Sequence, residues 1–345
     1  MTTTTTTTTT PSTMRAAVYR RFGGPDEVKI EQRPTPTPRA NEVLVKVHAT
    51  TVSAADYRAR TKDVPENLKF LSSLTLGFFA PRIRVLGMDV AGVVEAVGPD
   101  VTAFAPGDEV IAMLGSTFGG HAEYVTVPET GAITPKPANL DFEEAAALVF
   151  GGITARAFLA RATVRPGATV LVNGASGAVG TAAVQLAHRA GARVTAVCSG
   201  GNADLVRALG ADRVIDYTTT DFTHDPERYD VVLDAVGNRP FVELEPLITA
   251  GGALLSVMSD LDGVVNASRR SRRTAKLVVS GNVPFTGGQL AHVARLASAG
   301  LIRPVIDATF EFADIADAHR FVDTGRKRGN VVVRIAPATA SAHPA

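Results

Sequence analysis

Two kinds of hydrophobic pattern divide this chain. Before about residue 140 apolar and polar positions alternate, most clearly in VLVKVHA at 43–49, where a period of two predicts strands with one wet face. Short strand-like runs at 15–20, 42–49, 90–98, 108–114 and 122–127 are punctuated by GGPDE, PTPTP, GPD and PGDE. This part reads as an all-β body. From residue 170 the pattern changes to short, unbroken apolar runs at 170–173, 193–199, 213–217, 230–237, 252–258 and 276–281. Runs of that length and branching fit strands buried on both faces, several of them joined by helix-length crossovers. A closing block at 305–335 offers two strand-like runs around a helix at 313–324 and returns to the β body.

The first of the unbroken runs ends in the most informative segment, VLVNGASGAVG at 170–180. Gly174, Gly177 and Gly180 are spaced three apart. Val179, Ala182, Ala183, Leu186 and Ala190 then follow helical spacing, with Gly191 placed to end the helix. A strand turning tightly into a helix leaves unpaired N–H groups at the positive end of the helix dipole, and glycines let a pyrophosphate approach them. Gly174, Ser176, Gly177, Ala178, Val179 and Gly180 are therefore candidate phosphate-binding positions. Ligands in parallel sheets bind beyond the carboxyl ends of the strands. That rule points Ser199, Tyr217, Ala235, Val236, Gly237 and Ser256 toward the same crevice. The fold class expected is α/β, a doubly wound dinucleotide-binding (Rossmann) sheet beside a β-rich domain.

Length and apolar content suit two domains with sizeable cores. A net charge of +1 gives no whole-chain attraction to nucleic acid or an acidic membrane, and no apolar run is long enough to span a bilayer. The single cysteine, Cys198, excludes an intramolecular disulfide framework and suits a reducing, cytoplasmic setting. Residues 1–13, with nine consecutive threonines, lack the order of a signal peptide and read as a disordered leader.

The segments VLVKVHATTVSAAD, LGMDVAGVVEAVG, PGDEV, GGHAEYVTVP, NLDFEEAAAL, NGASGAVGTAAVQLA, LGADRVIDY and GNVVV together resemble the medium-chain dehydrogenase/reductase superfamily, and within it the zinc-independent quinone oxidoreductase branch. The likeness runs from Met14 to about Ile335. It implies a GroES-like catalytic domain, residues 14–140 and 285–345, interrupted by a Rossmann domain at 141–284, with the active site between them. It also implies hydride transfer from a nicotinamide cofactor, usually NADPH, and assembly as a homodimer or homotetramer. Thr154 falls at the domain junction, toward the nicotinamide. Asn202, Asn282 and Asn330 complete the expected cofactor contacts.

Zinc-dependent relatives carry a cysteine three residues before an Asp, and later Gly-His-Glu. Here Ser53 precedes Asp56, and Gly87-Met88-Asp89 stands in the second place. A zinc site needs three or four Cys, His or carboxylate ligands, so no metal is expected. Without a Lewis acid a developing alkoxide lacks a strong charge partner, which favours conjugated acceptors such as quinones and α,β-unsaturated carbonyls over simple alcohols. The alternatives are an alcohol dehydrogenase or carbonyl reductase, and a cofactor-binding protein without turnover. Ser53, Asp56 and Tyr57 are the catalytic candidates: Tyr57 as a proton donor or as wall packing, Asp56 as a loop-holding hydrogen bond or a proton-transfer group. NAD-preferring domains place an acid after the second strand, whereas this chain has CSGGN at 198–202, so NADPH is favoured with NADH left open.

Phe70, Leu71, Leu74, Leu76, Phe78 and Phe79 suggest either a pocket wall or a packed helix. Arg269, Arg270, Arg272 and Arg273 read as a solvated helix face rather than an RNA site. His121 is expected in a surface turn, His48 in a structural strand, and Cys198 at the adenosine end, away from hydride transfer.

Overall fold

In the computed structural model, which describes residues 10–64, 69–258, 261–281 and 283–336, the alternating part of the chain forms β-structure. Strands β1 (Thr13–Tyr19) and β2 (Val28–Pro34) form an antiparallel ribbon with Thr13 opposite Pro34. Thr13, placed in the leader by the sequence, is thus the first residue of a strand, and the Ser12 carbonyl accepts from Thr35 N at 3.1 Å. Strand β2 has no counterpart among the expected runs because Val28 is its one buried residue.

Next come β3 (Glu42–Val52), α1 (Ala54–Thr61), α2 (Lys69–Leu76), β4 (Asp89–Val97), β5 (Glu109–Met113), β6 (Tyr124–Pro128) and β7 (Ala132–Pro135). The long helix α3 (Phe142–Leu159) then leads into an alternating series: β8 (Thr169–Asn173), α4 (Ala178–Arg189), β9 (Arg193–Cys198), α5 (Ala203–Ala208), β10 (Arg213–Asp216), β11 (Tyr229–Asp234), α6 (Phe241–Leu244), β12 (Ile248–Ser256), α7 (Leu261–Thr274) and β13 (Leu277–Ser280). Helix α8 (Gly287–Ser298), β14 (Ile306–Glu311), α9 (Ile315–Asp323) and β15 (Asn330–Arg334) close the chain.

The unbroken runs form one parallel sheet in the order β10-β9-β8-β11-β12-β13. This is the doubly wound Rossmann order, in which the strand sequence reverses between β8 and β11 and opens a crevice at their carboxyl ends. Val170, Leu171, Val172, Val232 and Leu233 are wholly buried because helices cover both faces, which is why these strands read as continuous apolar runs. The second sheet runs β14-β15-β3-β4-β5-β7, with β6 also paired to β3, so the last strands of the chain rejoin the first.

Helix α3 joins the two sheets. Its residues are apolar nearly all round, as burial on every side requires. Ala145, Ala146, Val149 and Ile153 pack with Ala49, Ala91, Ile111 and Val332 of the β-rich domain, while Ala155, Ala157 and Phe158 pack with Val170, Val172 and Val184 of the parallel sheet. Gly151 sets how closely α3 meets α4: a Cβ there would lie 2.2 Å from the Ala178 carbonyl oxygen.

Beneath α1 the β-rich domain holds polar groups in a dry core. Arg60 is fully buried and grips Asp323 of α9 through Nη2, at 2.5 and 2.6 Å, and the Gly23 carbonyl at 2.6 Å. His319, also on α9, is fully buried, and neither ring nitrogen has a partner among the described residues. The His121 ring meets it edge-on at 5.4 Å. His121 is therefore a core residue rather than a surface-turn residue, its Nε2 3.0 Å from the Thr51 carbonyl.

Burial, then the charges of His121 and Arg60, push the His319 imidazole well below its ordinary value of 6.5. The unfolded chain takes up a proton near that value and the folded ring does not, so stability is full above it and falls as pH drops below it. Asp89, whose carboxyl the fold raises to about 7, acts in the opposite sense over the same range, so the His319 contribution is read as a difference. Relative to His319→Leu, the wild type should lose stability between pH 6.5 and 5.5, approaching about 1.4 kcal/mol per pH unit; parallel pH profiles of the two proteins would show that His319 contributes nothing.

Candidate active site

The crevice above β8 is built around a turn that requires glycine. Gly174 has φ +78°, and a Cβ there would press to 2.6 Å on Val236. Gly180 lets α4 pack onto the turn, since a Cβ would lie 2.1 Å from the Gly174 carbonyl oxygen. Gly177 caps α4 in extended conformation, and a Cβ would meet only the Gly174 carbonyl oxygen, at 3.5 Å. That side of the turn is open. The N–H groups of Ala178, Val179 and Gly180 belong to the first turn of α4 and have no acceptor within the helix. They form an anion cradle at the positive end of its dipole.

The other strand ends converge on this cradle. Asn202 Nδ2 donates to both Ser176 Oγ and Ser199 Oγ at 3.1 Å, tying the glycine turn to the end of β9. Buried Asp234 accepts from Asn173 Nδ2 at 2.9 Å and from Val236 N and Gly237 N at 3.0 Å, which fixes the turn after β11 with Ala235 at the crevice. Ser256 ends β12 and is buried, whereas Tyr217 is 59% exposed beyond β10. Thr154 on α3 is 3% exposed and its hydroxyl has no partner among the described residues. A buried hydroxyl without a partner near α4 fits a carboxamide or ribose group that a bound dinucleotide would bring. Asn330 spends its amide on the Val305 carbonyl at 3.0 Å, and Asn282 lies outside the described residues.

Asp216 was not among the residues the sequence singled out. A Cβ on Gly200 would lie 2.4 Å from its Oδ2, so an acid from β10 stands beside the end of β9. Hydrogen bonds from the Thr218 hydroxyl and backbone hold its carboxyl below the usual range. Cys198 is buried there, its thiol pushed up to about 11 by desolvation, which makes it inert as a nucleophile.

Across the crevice, the β-rich domain presents the start of α1. Ser53 and Asp56 cap this helix reciprocally. Asp56 Oδ2 accepts from Ser53 N and Ser53 Oγ at 2.7 Å, and its Oδ1 accepts from Gly87 N at 2.8 Å. Both oxygens of this fully buried carboxylate therefore hold the loop. Gly87 has φ +90°, and a Cβ would strike the His121 ring at 2.5 Å, so only glycine admits that ring. Asp89 is also fully buried; it accepts from Thr51 N at 2.8 Å and Thr51 Oγ1 at 2.7 Å. Desolvation pushes its carboxyl up to about 7, against the pull of the Thr51 bonds.

These bonds test whether a zinc ion fits. The Ser53 hydroxyl donates to Asp56, Asp89 is engaged by Thr51, and Met88 packs as a hydrophobe in the β-domain core. Among the described residues no group of three His, Cys, Asp or Glu side chains could hold a metal ion. The donor set does not fit zinc.

Tyr57 packs its ring against the β-domain core. The next residue, Arg58, crosses toward the parallel sheet, with Nη1 2.6 Å from the Met258 sulfur just beyond β12. A thioether is a weak acceptor, so this half-buried guanidinium keeps donors to spare. The apolar segment before Gly87 divides. Leu76 packs on the core, Leu74 and Phe78 are exposed and Phe79 is 99% exposed, while the side chains of Phe70 and Leu71 lie outside the described residues. His48 stacks on Phe142 at 4.2 Å.

The same arrangement recurs in known proteins. Residues 39–138 match the family model for the alcohol dehydrogenase GroES-like domain, and residues 209–333 match that for zinc-binding dehydrogenases. A 2-methylene-furan-3-one reductase of Solanum lycopersicum is 34% identical over 95% of this chain and 80% of its own length. An NADPH-dependent alkenal/one oxidoreductase, chloroplastic, of Arabidopsis thaliana is 34% identical over 94% of this chain and 80% of its own. The solved quinone oxidoreductase of Coxiella burnetii superposes with a TM-score of 0.83 at 29% identity, covering 94% of this chain and all of that one. No helix among the described residues is long and apolar enough to cross a membrane. The chain belongs to the medium-chain dehydrogenase/reductase superfamily, in its quinone-oxidoreductase-like branch.

Proposed function

We propose that the chain is a zinc-independent NAD(P)H-dependent reductase that delivers hydride to quinones or α,β-unsaturated carbonyls. The observation that carries this reading is the set of hydrogen bonds from Ser53, Gly87 and Thr51 that occupies Asp56 and Asp89. With those groups committed and no zinc donors at hand, a simple ketone would leave its new alkoxide without a strong charge partner. A quinone or enone spreads the charge over a conjugated oxygen, and a guanidinium suffices to receive it. Arg58 has the spare donors and the position for that role. The names of the tomato, Arabidopsis and Coxiella relatives support the same substrate class.

A bound nicotinamide supplies the hydride. The first turn of α4 holds the diphosphate, and the buried Thr154 hydroxyl orients the nicotinamide end. Both domains pack on α3, so the two walls of the cleft stand on one helix. The proton that completes reduction comes from water or from the Tyr57 hydroxyl. NADPH is the preferred cofactor because β9 ends without an acid; Asp216, across from Gly200, keeps the preference modest. A cytoplasmic location is supported by the single buried thiol. Assembly as a homodimer or tetramer is supported by the open edge of β13, where Leu277 is 41% exposed.

NADPH oxidation should be rapid with a panel of quinones and enones and slow with simple aldehydes, and a chelator should leave it intact. Activity confined to alcohols and ketones and restored only by zinc would establish an alcohol dehydrogenase instead; cofactor binding without turnover on any acceptor would establish a binding protein. Gly177→Val provides the matching structural test. A Cβ at Gly177 meets no close neighbour, so the variant should fold, with a loss of about 1 kcal/mol for valine at a helix N-cap, while NADPH affinity should fall at least a hundredfold, about 2.7 kcal/mol. Retained affinity would place the cofactor elsewhere.

A further inference from the structure

The closing loop of the β-rich domain reaches the glycine turn of the other domain. Gly329 N donates to the Ser176 carbonyl at 2.7 Å, and Gly329 pairs with Gly177 in a parallel bridge. Lys327 precedes this contact, and its ammonium donates to the Gly329 carbonyl at 2.6 Å. The ammonium is thus bonded to the carbonyl of the same residue whose N–H holds the glycine turn.

Its surroundings leave it short of partners. Asp307 accepts from Arg328 N at 2.8 Å and Arg328 Nε at 3.2 Å, and Asp89 is engaged by Thr51. Among the described residues no carboxylate lies within ion-pair distance of Lys327 Nζ, although Asp307 on β14 and Asp89 on β4 both influence it. Desolvation outweighs those two carboxylates and brings the ammonium down to about 8. A half-buried cation with two donors not engaged by the protein among the described residues is well placed to meet an anion. The anion that this turn is shaped to receive is a diphosphate.

We propose that Lys327 binds the dinucleotide's diphosphate from the β-rich domain, so that the bound cofactor clasps the two domains together. The proposal rests on the oxidoreductase reading.

Dissociation constants of NADPH, NADH and ADP-ribose, measured by fluorescence and competition on the full chain, test it with Lys327→Met and Lys327→Arg. All three ligands share the diphosphate, so Lys327→Met should weaken each by about tenfold or more, the size of one charged hydrogen bond, and Lys327→Arg should stay within about threefold. Wild-type affinity should decline between pH 7.5 and 9 as Lys327 loses its proton, and the decline should vanish in the methionine variant. Equal affinity of Lys327→Met and wild type overturns the proposal. So does a loss confined to NADPH, which would put the lysine at the 2′-phosphate, or a loss that spares ADP-ribose, which would put it at the nicotinamide. Should Lys327→Met fail to fold, a wild-type profile flat across that pH range overturns it. A wild-type chain that binds none of the three removes the oxidoreductase reading as well.

Discussion

The Asp56 carboxylate is the constraint on which the catalytic wall depends. Helix α1 spans only Ala54–Thr61, too short to persist alone in water. Asp56 anchors it, accepting two hydrogen bonds from Ser53 and one from Gly87. Hydrogen bonds to a charged group contribute about 1.5–3 kcal/mol each, enough to pin a two-turn helix against the segment leading into β4. The same bonds orient Arg58 across the cleft and commit the groups that a metal would need. One buried carboxylate therefore sets both the shape of the wall and the chemistry left to it.

The opposite wall depends on backbone rather than side chains. Gly174 and Gly180 bring α4 onto the end of β8, and Gly151 brings α3 onto the start of α4. Because α3 also packs into the β-rich core, the cradle and the catalytic wall share one rigid element. Thr154 lies on that element, its hydroxyl buried and without a partner among the described residues. The loop carrying Lys327 closes the same junction from the far end of the chain.

Much of this was legible in the residues, and for identifiable reasons. Burial on both faces makes parallel strands apolar throughout, so β8 to β13 stood out as unbroken runs, and the glycine spacing located the turn. Strand β2 did not stand out because only Val28 turns inward. His121 read as a surface residue because its burial depends on the space left by Gly87, distant in sequence. Tyr57 and Arg58 are adjacent, and only the rotation of α1 shows that the Tyr57 ring packs on the β-domain core while Arg58 reaches Met258. Asp216 was missed because the rule for an acid concerns the second strand, whereas this acid comes from its neighbour in the sheet. Lys327 belongs to a loop whose relevance appears only when it crosses to the other domain.

Metal-free reduction of a conjugated acceptor fixes where the hydride lands. Delivery to the far end of the conjugated system leaves an enolate whose charge is spread over carbon and oxygen, so hydrogen-bond donors suffice, whereas direct attack at the carbonyl carbon localises the charge on oxygen and calls for a stronger charge partner. NMR of the product formed from an enone and C4-deuterated NADPH locates the transferred atom directly. Deuterium on the β-carbon, with the carbonyl intact and no zinc in the protein, is the predicted result. Deuterium on the carbonyl carbon of an allylic alcohol, formed only when zinc is supplied, would contradict it.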